Sequence, residues 1–203
     1  LQELRQIRPG LRAIIFTGFN DEDDIVESMK LGATDYLSKG RASVLLARVQ
    51  NALAEDTDRE VKTLLENLEN HQLEFKSSAR WDLRQSKLNH ELEQVIVKTV
   101  AGFLNSEYEG VLLIGVDDQR NPIGLMHDYR TVRPQNRDGF QTFLTNLILE
   151  ACGKDLNSFI RVDFPVVAGY EICRVSIRPA PRPVFVAVGN LQHFYLRTGN
   201  ATN

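Results

Sequence analysis

The apolar run Gly110–Val116 constrains the fold of this chain more than any other segment. A continuous apolar run of this length is typical of a strand that is buried on both faces. Asp117 and Asp118 follow it directly, and a turn containing Pro122 comes next. The sequence therefore predicts a covered sheet with two aspartates held at its rim.

A second short strand is predicted at Leu73–Phe75. Glu74 alternates with its apolar neighbours, so we expect it to face away from the core, on the same face as Lys76. If the ends of the two strands converge, their carboxylates can hold Mg²⁺ or Mn²⁺, with Lys76 stabilising the charge that develops on a cleaved phosphate. The candidate catalytic and metal-binding carboxylates are Glu69, Glu74, Asp117 and Asp118. The same residues also fit an exposed ion pair and an ordinary turn.

Residues 1–54 alternate between patterns typical of strands and of helices. The predicted elements are a strand at Ala13–Phe16 that ends at Thr17, a helix at Asp21–Leu31, a strand at Asp35–Ser38 followed by Lys39, and a helix around residues 45–53. This order predicts an α/β unit.

A connecting helix is predicted over residues 55–70. Thr57 and Glu60 have the spacing of a capping box, and an apolar stripe follows at helical spacing. The stripe consists of Val61, Leu64, Leu65 and Leu68. Two interpretations remain open, because such a stripe can pack on its own domain or pair with a second copy in a short coiled coil.

Residues 71–203 have a different pattern, which predicts an α+β domain with a mixed sheet and at least two helices. The predicted helices carry apolar positions between Leu88 and Phe103 and between Phe140 and Ile148, the second ending before Gly153. Further strands are expected at residues 159–167, 171–178, 184–188 and 192–197.

Composition limits the classes of protein that need to be considered. The 203 residues contain no apolar run long enough to cross a membrane, and Cys152 and Cys173 form no metal-ligand spacing with the histidines. We therefore expect a cytoplasmic chain of one or two domains. Residues 120–203 hold ten basic residues against six acidic ones, which fits a mildly basic surface or an ordinary solvated one.

The first unit resembles the second half of a response-regulator receiver domain. The resemblance rests on Thr17, on the segment Gly32–Leu37 and on Lys39. It implies an incomplete doubly wound parallel sheet over residues 1–54, an upstream sensor kinase, and contact of Thr17 and Lys39 with an aspartyl phosphate, while the aromatic at Tyr36 rotates on activation. The half that carries the phosphoacceptor aspartate in this family is not in the sequence, so we expect no phosphorylation chemistry from this chain alone.

The second unit resembles the Schlafen AlbA-like domain along roughly residues 64–203. The matching blocks, in order, are Glu74–Ser78, Arg80–Asp82, Ala101–Asn105, Gly110–Asp118, Gly124–Leu125, Pro181–Val184 and Phe194–Asn200. The resemblance implies a DNA- or RNA-binding module, and we predict nucleic-acid contacts at Lys76, Arg80 and Arg197. Eukaryotic Schlafen proteins also cleave structured RNA with three carboxylates and a metal ion. Glu69 and Glu74 match the spacing of the first two, and Asp117 or Asp118 would be the third.

Three functional hypotheses follow. The first is a two-component response regulator with a nucleic-acid-binding output domain, acting as a possible homodimer. The second is a metal-dependent endoribonuclease, and the third is a protein-interaction module without nucleic-acid contact.

Overall fold

The computed structural model describes residues 1–7, 11–18, 21–67, 69–189, 191–198 and 201–202. The chain divides into two compact units, Leu1–Arg59 and Glu60–Asn203. Within the described ranges, no helix combines the length and the apolar character needed to span a membrane.

The first unit is a small α/β arrangement. Its elements are helix α1 (Gln2–Ile7), strand β1 (Ile14–Thr17), helix α2 (Glu22–Lys30), strand β2 (Asp35–Ser38), a 3₁₀ segment (Lys39–Val44) and the start of helix α3 (Leu45–Glu66). The two strands are parallel, with Thr17 opposite Ser38. Asp21 caps α2, because its side chain accepts a hydrogen bond from the backbone N–H of Asp23 at 3.1 Å.

Helix α3 is longer than predicted at its start and shorter at its end. It runs without a break from Leu45 to Glu66, so Thr57 and Glu60 lie inside the helix and form no capping box. The physical reason is that residues 45–66 contain neither glycine nor proline to interrupt the helix. The prediction of a connecting helix over residues 55–70 is wrong in both bounds, and Leu68 lies outside the described residues.

The second unit is built around a four-stranded mixed sheet with the strand order β3-β6-β10-β7. These strands are β3 (Leu73–Lys76), β6 (Gly110–Ile114), β7 (Ile160–Asp163) and β10 (Cys173–Ile177). Strand β3 is parallel to β6, and β10 is antiparallel to both β6 and β7. The mixed sheet predicted from the sequence is confirmed.

Smaller strands and helices surround this sheet. The short strands are β4 (Trp81–Asp82), β5 (Lys87–Leu88), β8 (Val166–Val167), β9 (Tyr170–Glu171), β11 (Phe185–Val188), β12 (Leu191–Phe194), β13 (Arg197–Thr198) and β14 (Ala201–Thr202). The helices are α4 (His90–Leu104), α5 (Met126–Tyr129) and α6 (Arg137–Cys152). Helix α6 ends before Gly153, as predicted, and Gly153 has a φ of +123° that few other residues adopt.

Both faces of the sheet are covered. On one face, Leu112 and Ile114 pack in the main core with residues of α4 and α6 such as Phe103 and Phe140. On the other face, Leu73, Phe75 and Leu113 form a second apolar cluster with Val61, against which Leu64 and Leu65 also pack. The apolar stripe of α3 therefore packs on the sheet of its own unit. The long apolar run at residues 110–116 is explained, since β6 has no face in contact with water.

Candidate nucleic-acid interface

Glu74 is buried, contrary to the expectation that it faces away from the core. It lies opposite Leu112 in the register of β3 and β6, and only 8% of its surface is exposed. Its carboxylate accepts hydrogen bonds from Lys76 Nζ and from Arg197 Nη2, the latter at 2.8 Å. Alternation along a strand predicts a solvent-facing side only when one face of the sheet is open, and here neither is.

Arg197 is a structural cation. Its side chain is 1% exposed, and Nη2 also donates to the carbonyl oxygens of Asn70 at 2.7 Å and Leu73 at 3.1 Å. The guanidinium carbon lies 4.5 Å from the centre of the Phe103 ring. In this arrangement Arg197 cannot contact a phosphate, and the predicted nucleic-acid contact is corrected to an internal ion pair with Glu74.

The two other predicted nucleic-acid contacts are also engaged internally. The side chain of Lys76 is 26% exposed and pairs with Glu74. The side chain of Arg80 is 13% exposed, with Nε 2.9 Å from Glu93 Oε1 and the guanidinium carbon 4.2 Å from the centre of the Phe143 ring. Each cation faces a carboxylate of the protein itself, so neither is a free contact for a phosphate.

The remaining candidate carboxylates have local roles. Glu69 lies beyond the end of α3 and its Oε1 accepts a hydrogen bond from the backbone N–H of Phe75 at 2.9 Å. Asp117 Oδ1 accepts from the N–H groups of Gln119 and Asn121, and Asp118 is exposed. Among the described residues, no three His, Cys, Asp or Glu side chains are grouped so that they could hold a metal ion. The metal site stays a prediction.

A buried aspartate that sequence reasoning did not find organises the loop after β3. Asp128, in α5, is 1% exposed, and its Oδ1 accepts hydrogen bonds from Ser78 Oγ at 2.8 Å, Ala79 N at 3.2 Å and Arg80 N at 3.1 Å. Burial raises the pKa of Asp128 to about 6, although the three hydrogen bonds oppose that change. These contacts fix the backbone of residues 78–80 to α5.

An aromatic stack lies beside this network. The network joins Arg80 to Asp128. In sequence, Trp81 follows Arg80 and His127 precedes Asp128. Their ring centroids are 5.8 Å apart and their planes differ by 12°. Trp81 is partly buried and His127 is exposed. The network holds the backbone beside both rings, through residues 78–80 on one segment and Asp128 on the other.

Exposed cations flank the stack along both segments. Arg84 and Lys87 belong to the hairpin of β4 and β5, and Arg130 and Arg133 follow α5. All four are exposed, and in the part of the chain that the structure describes none forms an ion pair with an acidic side chain. In this they differ from Lys76, Arg80 and Arg197, the three cations predicted from the sequence, each of which pairs with a carboxylate.

The family model for "Schlafen, AlbA_2" matches residues 69–203. The chain belongs to the Schlafen AlbA_2 family. The expectation of an AlbA-like domain in the second part of the chain is thus confirmed, and the match does not extend to residues 1–68. No curated protein matches the chain.

Two solved structures are similar in fold. One is the crystal structure of the DIP2311 protein from Corynebacterium diphtheriae, with 17% sequence identity and a TM-score of 0.49, covering 81% of this chain. This chain spans only 31% of the DIP2311 chain. The other is the solution structure of the N-terminal domain of a RecG-related protein from Nitrosomonas europaea, with 18% identity, a TM-score of 0.45, and coverage of 68% of this chain and 86% of that one.

Proposed function

We propose that the AlbA_2 domain binds nucleic acid through the surface around Trp81. This surface, called the Trp81 face below, consists of Trp81, Arg84, Lys87, His127, Arg130 and Arg133. The observation that carries the proposal is that four exposed cations lie within six residues in sequence of Trp81 or His127, and that none of them pairs with an acidic side chain among the residues that the structure describes. Membership of the Schlafen AlbA_2 family supports the same function.

The physical argument is electrostatic. Affinity for nucleic acid comes largely from cations that neutralise phosphates and release condensed counterions. A cation that already pairs with a buried carboxylate, such as Arg197 with Glu74, releases none. If all four cations of the Trp81 face contact phosphates, log K should fall with log salt concentration with a slope of about −3.6 for duplex DNA and about −2.8 for single strands.

The test is the affinity of the chain for DNA and RNA oligonucleotides at several salt concentrations. The double variant Arg130→Glu/Arg133→Glu should bind more weakly and show a smaller salt slope. The matched control is Lys62→Glu/Lys154→Glu, which makes the same charge change at two exposed lysines outside the face. Absence of binding by the unmodified chain, or equal weakening by both double variants, would refute the proposal.

We propose further that residues 1–54 are the C-terminal half of a receiver domain, which would make the chain part of a two-component regulator. The parallel pair β1 and β2, joined by α2, supports this. Thr17 ends β1 opposite Ser38, and Lys39 follows directly, so both lie at the carboxyl edge of the strands. A Cβ added to Gly18 would stand 3.9 Å from Lys39 Cδ, so the lysine side chain runs past the end of β1.

The test of the receiver proposal is phosphoryl labelling of the natural full-length protein by acetyl phosphate. We expect an acid-stable, base-labile acyl phosphate, and a change of nucleic-acid affinity on labelling that Lys39→Ala abolishes. If the natural protein takes up no phosphoryl group, the regulator proposal fails while the nucleic-acid proposal stands.

A further inference from the structure

We infer that the Trp81–His127 stack is a platform for unpaired bases, so that the domain prefers single-stranded nucleic acid or unpaired loops to duplex. The inference rests on the proposed function of the Trp81 face and names its class of substrate. It requires three properties of the site: rings open to a ligand, rings held in place before binding, and cations that can reach the backbone of the bound strand.

The two rings are nearly parallel, so a base could stack on them in the same orientation. The two planes are within 12° of parallel, and the imidazole of His127 belongs to an exposed residue. A base has a flat π-face of similar size, so it can add to this stack.

The rings are held in place before a ligand arrives. The backbone N–H of Trp81 donates to Ser78 Oγ at 2.7 Å, and the Ser78 hydroxyl donates to Asp128 Oδ1. Residues 81 and 127 are therefore tied to one buried carboxylate from both sides. Preorganisation of this kind reduces the entropy that binding would otherwise cost.

The charges beside the stack favour a polyanion. Arg84 and Lys87 follow Trp81 within six residues in sequence, and Arg130 and Arg133 follow His127 within six, so each ring belongs to a segment that carries two exposed cations. Asp82, the acid nearest to Trp81 in sequence, uses Oδ1 to accept hydrogen bonds from the N–H groups of Arg84 and Gln85 at 2.9 Å. A duplex offers the same phosphates but hides the faces of its bases, and stacking therefore separates the two substrates.

A second aromatic pair in the same unit provides a natural comparison. His71 and Tyr108 also have ring centroids 5.8 Å apart, and Tyr108 is 57% exposed, but their planes meet at 68°. Glu107 and Glu109 flank Tyr108 in sequence. This pair has neither the parallel geometry nor the positive surroundings, so we expect it to bind no base.

The sequence provides a direct probe, since Trp81 is the one tryptophan in the chain. We would titrate the chain with a short oligothymidylate, with a duplex of the same length, and with heparin as a polyanion without bases. Stacking should quench Trp81 fluorescence with the single strand and leave it nearly unchanged with heparin. His127→Ala, at an exposed position, should lower the ratio of single-strand affinity to duplex affinity roughly 5- to 100-fold. Tyr108→Ala, the matched control, should bind like the unmodified chain.

The outcomes separate the inference from the proposed function. If the unmodified chain binds no oligonucleotide, the proposed function fails and the inference fails with it. If it binds with a salt slope, but heparin quenches as strongly as the single strand or His127→Ala binds equally well, only the stacking inference is overturned. Trp81→Phe, which keeps an aromatic ring, should retain most of the single-strand affinity. An equal loss of single-strand affinity in Trp81→Phe and in His127→Ala would also count against stacking.

Discussion

Replacement of Asp128 by asparagine should remove a pH dependence of stability from the AlbA_2 domain. Only Oδ1 of Asp128 accepts the three hydrogen bonds from residues 78–80, and asparagine keeps a carbonyl oxygen in that place. What the substitution removes is a carboxylate that burial makes difficult to ionise, with the Arg80 guanidinium acting in the opposite direction. The change therefore separates the hydrogen-bonding role of Asp128 from its charge.

The sign follows from the raised pKa. The folded domain binds the Asp128 proton up to about pH 6, whereas the unfolded chain releases it near 3.8. The contribution of Asp128 to the free energy of unfolding is therefore greatest below about pH 3.8, the pKa of this group in the unfolded chain. It falls as the pH rises to about 6 and is constant above that pH. A difference of roughly two pKa units corresponds to about 3 kcal/mol of unfolding free energy. The asparagine side chain does not titrate, so the stability of the Asp128→Asn variant relative to the unmodified chain should rise by about 2 kcal/mol between roughly pH 4 and pH 7.

The assay is urea denaturation followed by Trp81 fluorescence, which reports on the second unit alone, at several pH values across that range. Asp118→Asn, at an exposed aspartate, is the matched control and should leave the pH profile unchanged. Asp128→Ala removes the acceptor and strands buried donors, each costing about 1–3 kcal/mol, so it should be destabilising at every pH. Parallel pH profiles for the unmodified chain and Asp128→Asn would refute the reasoning.

Three further predictions test the other elements of the domain. Glu74→Ala should lower the unfolding free energy by about 3–5 kcal/mol, since it leaves the buried Arg197 without its carboxylate, and thermal denaturation followed by circular dichroism measures this. Structured RNA incubated with Mg²⁺ or Mn²⁺ should be bound without cleavage. Cleavage that a chelator stops, and that Asp117→Ala abolishes without changing the melting temperature of the protein, would instead favour the endoribonuclease. A chain beginning at Glu60 should keep the unfolding free energy of the second unit. A chain beginning at residue 71 should lose several kcal/mol of it, because Val61 no longer covers the sheet. Equal urea midpoints of the two truncated chains would contradict this.

The sequence was sufficient for the features that depend on local patterns. The apolar run at residues 110–116 predicted a strand covered on both faces, and the predicted end of α6 before Gly153 was correct. The start of the connecting helix was predicted wrongly, because the spacing of Thr57 and Glu60 is equally compatible with a helix interior. Local patterns identify elements, but they do not show which compatible pattern the surrounding chain selects.

The candidate site was harder to predict, because its side chains are paired over long sequence distances. Glu74 pairs with Arg197, 123 positions away, and Ser78 with Asp128, 50 positions away. A single sequence contains no record of these pairings, and a lysine or arginine in a matching motif looks the same whether it is free or paired. Trp81 lies within the matching block Arg80–Asp82, but its stacking on His127, 46 positions away, could not be read from the sequence.

The partners of the acids are a reason to propose that the second unit presents a positive surface although its charge is nearly balanced. In several places an arginine engages a carboxylate directly, as Arg182 does with Asp155 and Arg137 with Glu171, so neither charge is available to a ligand. Two acids next in sequence to Trp81 and His127 are satisfied differently, because Asp82 and the buried Asp128 accept hydrogen bonds from backbone N–H groups. Backbone amides hold these carboxylates without using a cation. If the proposed function holds, the arginines and the lysine of the Trp81 face are the cations that contact phosphate, although the domain as a whole carries no large excess of positive charge.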